Sequence, residues 1–103
     1  VRATLTALKD YVKAFHLGNT TLAGTPQTNP YYGDTQPRFG IPGGANTVDD
    51  VVNYFRVLKD LDLISPEKRP VVTAEVRPII GDETQELILS NNKRVFQEGW
   101  ARA

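Results

Sequence analysis

The residues VVTAEV, Val71 to Val76, decide how this chain is read. They are largely β-branched and apolar, with Pro70 and Pro78 as boundaries, and they predict a strand. One residue breaks the pattern. Glu75 puts a carboxylate near the end of a run that otherwise looks buried on both faces. An upstream run has the same character. KAFHL, Lys13 to Leu17, predicts a strand of about five residues, and it holds His16, the only histidine among the 103 residues.

The segments around these two runs predict helices. In RATLTALKDYV, residues 2–12, Leu5, Leu8 and Val12 recur at helical spacing. TVDDVVNYFRVLKDLDLI, residues 47–64, opens with Thr47 and Asp50 in a capping-box arrangement. Val48, Val51, Val52, Phe55 and Leu58 then form one apolar stripe. SPEKRP, residues 65–70, reads as a turn. Asp82 and Gln85 suit the start of a last helix, with Ile88, Leu89, Val95, Phe96 and Trp100 on its buried side. Residues 18–46 are rich in Gly, Pro, Asn and Thr and read as a loop, long enough to expect a functional role.

The expected order is helix, strand, long loop, helix, strand, short loop, helix: an α/β chain. Strands separated by helices pair in parallel, through a crossover expected to be right-handed. Two strands buried on both faces need neighbours that this chain does not supply. Residues 1–103 are therefore expected to be one incomplete domain. They read as the closing section of a larger α/β domain, or as a unit that assembles with further copies. A first residue that is Val rather than Met fits the first expectation.

Composition narrows the chemistry. Apolar residues make up 40% and charged residues 23%, the balance of a globular chain. Cysteine is absent, which excludes disulfides, thiolate zinc sites and cysteine nucleophiles. Twelve basic residues match twelve acidic ones, without the basic excess that a nucleic-acid binder uses to displace counterions. No apolar run is long enough for a transmembrane helix, and VRATLTALKD lacks the features of a secretory signal. A cytoplasmic protein with no membrane partner is expected.

Side chains alternate along a strand. His16 then shares a face with Ala14, and Glu75 with Val71 and Thr73. Phe15, Leu17, Val72, Ala74 and Val76 make up the opposite face, which would pack under the helices. His16 and Glu75 would project together near the C-terminal ends of their strands, where active sites sit in α/β barrels. A buried carboxylate needs a partner, and a divalent metal is one. Imidazole nitrogen with carboxylate oxygen suits Zn²⁺ or Mn²⁺ better than Ca²⁺. Periodicity alone leaves other readings open: a hydrogen-bonded core histidine, and a solvated or ion-paired glutamate.

The loop is more specific. NPYYGDTQPRFGIPGGANT, residues 29–47, concentrates Asp34, Gln36 and Arg38 beside Gly43 and Gly44, which let backbone approach a ligand closely. An elaborate surface turn would look similar. Taken in order, HLGN, GDTQPRFGIPGG, a helix and VVTAEVRP resemble the C-terminal part of the xylose isomerase-like TIM-barrel superfamily. That group holds sugar and sugar phosphate isomerases and epimerases, and endonuclease IV-type enzymes. The resemblance covers nearly the whole chain, but only the last two strands and three helices of an eight-stranded barrel of roughly 250 residues.

The resemblance implies roles for individual residues. His16, Asp34 and Glu75 look like ligands of a divalent metal (Mn, Zn, Mg or Co), with Glu75 also acting in proton transfer. Arg38 is similar to an arginine that holds sugar hydroxyls or a phosphate, and Gln36 and Asn19 would add neutral hydrogen bonds. Gln36 departs from the pattern, since related loops commonly carry His there, which puts a second metal or a proton-transfer role at that position in doubt. The implied function is a metal-dependent isomerase or epimerase that moves a proton next to a sugar carbonyl. An endonuclease IV-like phosphodiesterase and a non-catalytic barrel relative are the alternatives. The section by itself is not expected to turn over substrate.

Overall fold

Val71–Glu75 forms a strand, β2, and pairs in parallel with a second strand, Ala14–Gly18, β1. The computed structural model describes residues 2–33, 35–77 and 84–103. Around the strands lie three helices: α1, Arg2–Leu8; α2, Val48–Asp60; and α3, Gln85–Arg102. The element order and the parallel pairing are those expected from the sequence, and the fold is mixed α/β. Strand β1 starts and ends one residue later than KAFHL.

The register sets Phe15 against Val72, His16 against Thr73 and Gly18 against Glu75. Alternation then divides the side chains as the sequence predicts. Phe15 is buried in a core with Leu5, Phe39, Val51, Phe55, Leu58 and Val95, and Leu17, Val72, Ala74 and Val76 pack against it. The other face differs from expectation. Ala14, His16, Val71, Thr73 and Glu75 are exposed, because among the described residues the helices and the core lie on one side of the sheet only.

Local chemistry explains the helix ends. The Thr47 side chain accepts from the Asp50 N–H while the Asp50 carboxylate accepts from the Thr47 N–H, so the capping box forms as read. Helix α2 stops at Asp60, short of the expected Ile64. Asp62 adopts a left-handed φ of 55°. The Leu63 N–H reaches back to the Leu58 carbonyl and the Asp62 N–H to that of Lys59. That is a Schellman ending with Asp in the place usually given to Gly.

Helix α1 also ends early, at Leu8 rather than Val12. The Tyr11 N–H bonds the Leu8 carbonyl and turns the chain toward β1. Leu8 is left exposed. Helix α3 is capped by Thr84, whose hydroxyl accepts from the Leu87 N–H, and Gln85 is its first residue. Asp82 lies outside the described residues.

Helices α2 and α3 pack closely where Gly99 meets Val51. A Cβ on Gly99 would lie 2.6 Å from Val51 Cγ1. Edge-to-face contacts of Phe55 with Phe96 and Trp100 extend this seam. The buried stripe of α3 is narrower than expected: Ile88, Val95 and Gly99 are buried, whereas Leu89 is 67% and Trp100 45% exposed. Helix α3 meets α2 and the long loop on one side, and nothing described covers the flank that carries Leu89. Trp100 leans on Phe55, with the Lys59 ammonium 4.3 Å from its ring centre. Among the described residues no helix is long and apolar enough to cross a membrane.

Candidate functional site

The C-terminal ends of β1 and β2 meet the long loop, and His16, Glu75, Asn19 and Gln36 lie there. Parallel register puts Glu75 beside Gly18, one step diagonally from His16 on the same face. His16 Nδ1 lies 4.0 Å from Glu75 Oε2, with the side chains 64% and 47% exposed. Neither is buried, contrary to the expectation from their apolar surroundings. The face they share is open. An exposed ion pair at that separation adds little to stability, and the strand register brings the two side chains together.

The loop folds back over these strand ends. Gln36 sits beside these strand ends with a left-handed φ of 54°, and its carbonyl accepts from the Arg77 N–H, just after β2. Its Cγ lies 3.9 Å from where a Cβ on Gly18 would stand. Non-glycine residues rarely adopt this conformation, so the strand ends hold Gln36 in a backbone shape its sequence neighbours would not choose. Arg38 is two residues further on. Asp34 lies outside the described residues.

Asn19, expected to bond a substrate, is 3% exposed. Its Oδ1 accepts from the Thr20 and Asn46 N–H groups, each at 2.9 Å, and its Nδ2 donates to the Arg38 carbonyl at 3.3 Å. The Asn46 side chain in turn donates to the Gly18 carbonyl at 2.7 Å. The Phe39 ring is buried against Phe96, and the Phe39 N–H donates to Asn92 of α3. Thr21 bridges to Tyr32 on one side and Gly44 on the other. The loop that looked irregular in sequence is therefore tied to β1, β2 and α3.

A cleft of about 350 Å³ opens between β1 and α2. His16 is among the residues that border it, and Asn46, Asp50, Asn53 and Tyr54 are the polar residues beside a mostly apolar lining. Burial pushes the Tyr54 hydroxyl above its ordinary pKa by penalising the phenolate. Sequence patterning missed Asn46 and Tyr54: one reads as loop, the other as a helix position beside the apolar stripe. A larger hollow of about 680 Å³ lies by Pro70, Arg69 and Trp100, toward the N-terminal end of β2 and away from His16.

Two metal-ligand types thus stand together, His16 nitrogen and Glu75 oxygen. Two donors on one tetrahedral zinc ion lie about 3.3–3.5 Å apart, so the 4.0 Å separation would have to close by about half an ångström for both to bind the same ion. Among the described residues no third His, Asp or Glu joins them. No family model, no curated protein and no solved structure matches the chain.

Proposed function

We propose that this chain is the C-terminal section of a xylose isomerase-like TIM barrel, and that the barrel is a metal-dependent sugar or sugar phosphate isomerase or epimerase. The observation that carries the reading is the 4.0 Å approach of His16 Nδ1 and Glu75 Oε2 on one open face, at the C-terminal ends of two parallel strands. Barrel active sites lie at that end of the strands. The exposed sheet face supports the architecture as well, since parallel strands are ordinarily covered on both sides.

In this reading His16 and Glu75 hold a divalent metal together with Asp34 and ligands from other strands of the barrel. When bound, the metal supplies Lewis-acid stabilisation of the negative charge that develops as a proton leaves the carbon beside the carbonyl. Glu75 is also the proton-transfer group: its carboxylate takes or returns that proton, with a second acid–base group on the other face of the sugar. Arg38 orients the sugar or its phosphate, a task suited to a planar, permanently charged guanidinium. Gln36 contributes a neutral hydrogen bond, and its amide is a poor substitute for the imidazole common at this position in such loops.

The test is metal analysis of the intact protein combined with sugar-conversion assays. Bound Mn, Zn, Mg or Co with interconversion of a ketose and its epimer or aldose is the expected result. Cleavage of abasic DNA would point instead to an endonuclease IV-like enzyme, and a protein that holds no metal would leave a non-catalytic barrel.

A further inference from the structure

Asn19 is buried and its side chain makes three hydrogen bonds, one of them to the segment that carries Arg38. We infer that Asn19 is a positioning residue, fixing where Arg38 stands at the strand mouth without touching the ligand itself. The inference rests on the sugar-binding role proposed for Arg38.

The side chain is 3% exposed, and its bonds run to the loop on both sides. Oδ1 accepts two backbone N–H groups, Thr20 and Asn46, and Nδ2 donates to the Arg38 carbonyl. Only a side chain with both an acceptor and a donor on one short amide can make that set. Aspartate would keep the two accepted bonds but set an oxygen against the Arg38 carbonyl oxygen. Leucine would leave two N–H groups without their acceptor.

Gly44 reports the same constraint from the opposite side. A Cβ there would lie 2.7 Å from Asn19 Nδ2 and 3.2 Å from the Ile41 carbonyl oxygen. Neighbouring Ala45 donates its N–H to the Thr20 carbonyl at 2.7 Å, so the backbone at 44 has little freedom to retreat. The Asn19 amide and the bare Gly44 backbone are therefore fitted to each other, and the Arg38 carbonyl depends on both. The opposite end of the segment is anchored separately, through the Gln36 carbonyl and the Arg77 N–H. Asn19 holds Arg38 at its own carbonyl, and the Phe39 N–H of the same peptide donates to Asn92. Loosening the Asn19 end should move Arg38 while leaving the strand ends intact.

The experiment compares Asn19→Asp, Gly44→Ala and the double variant in the intact protein, by steady-state kinetics and by amide hydrogen exchange. Each single variant should raise KM by roughly three- to tenfold, the scale of one lost hydrogen bond, with kcat within about twofold, the mark of lost uniform binding. Because both act on one contact, the double variant should be no worse than the poorer single one. Exchange should quicken across residues 38–46 and stay slow in α2 and α3. Multiplicative KM effects in the double variant, or unchanged KM, would overturn the inference. So would unchanged exchange at residues 38–46, a readout that needs no turnover. A wild-type protein without isomerase or epimerase activity would count against the proposed function instead, and the exchange comparison would still decide whether Asn19 holds the loop.

Discussion

His16 on β1 and Glu75 on β2 share one open sheet face, their Nδ1 and Oε2 atoms 4.0 Å apart. The parallel register produces this approach. Gly18 lies opposite Glu75, so His16, two residues earlier and on the same face, becomes its diagonal neighbour. Neither residue supports the core, and both are exposed to solvent.

On the proposed function, Glu75→Gln in the intact protein should abolish turnover and leave the fold unchanged. The substitution is nearly isosteric at a half-exposed site, where changes in stability usually stay within about 0.5 kcal/mol. Circular dichroism and a urea melt check the fold, and a sugar-conversion assay checks the activity. Undiminished turnover would remove Glu75 from the mechanism.

Gly99→Ala should destabilise the protein although alanine is the better helix former by about 1 kcal/mol. The new methyl would stand 2.6 Å from Val51 Cγ1 and 3.2 Å from Val51 Cβ, and overpacking of this kind costs about 1–3 kcal/mol. The net loss expected is about 0–2 kcal/mol. In a Val51→Ala background the same change should turn neutral or stabilising, because the opposing methyl groups are gone. Urea midpoints of the four proteins measure the coupling.

Tyr54 makes stability depend on alkaline pH. Burial raises its pKa above the usual 10.0, so the folded state keeps the proton after the unfolded chain has released it. Unfolding then liberates a proton, and stability falls as pH rises. The contribution is complete below the unfolded value near 10.0 and is lost as pH climbs through the higher folded value. Tyr54→Phe should be less sensitive over that window. Urea midpoints of the two proteins from about pH 8 to about pH 11 should converge or cross as tyrosine ionises, and parallel curves would show that burial has no such effect.

The 103-residue chain in isolation should self-associate or melt with low cooperativity. Among the described residues the sheet has two strands, open edges and an uncovered face that includes Val71, 65% exposed, and open edges of this kind recruit further strands. Sedimentation across a concentration series gives the answer. A monodisperse monomer with a sharp melt would show that the sheet is stable as it stands and would weaken the barrel proposal.

Where the governing chemistry is local, the amino-acid order was sufficient. Thr47 and Asp50 are three residues apart and cap α2 without help from elsewhere, and alternation alone assigned Phe15 and Leu17 to the core side and His16 and Glu75 to the other. Tertiary structure decided what depends on residues far apart in the chain. The Asn19 amide is spent on Arg38 and Asn46, Gln36 is held left-handed by a bond from Arg77, and Gly99 is required by Val51. Leu89 and Trp100 are exposed because none of the other described residues covers that flank of α3. None of these follows from periodicity, since a side chain's burial and its hydrogen-bond partners are set by what the folded chain places opposite it.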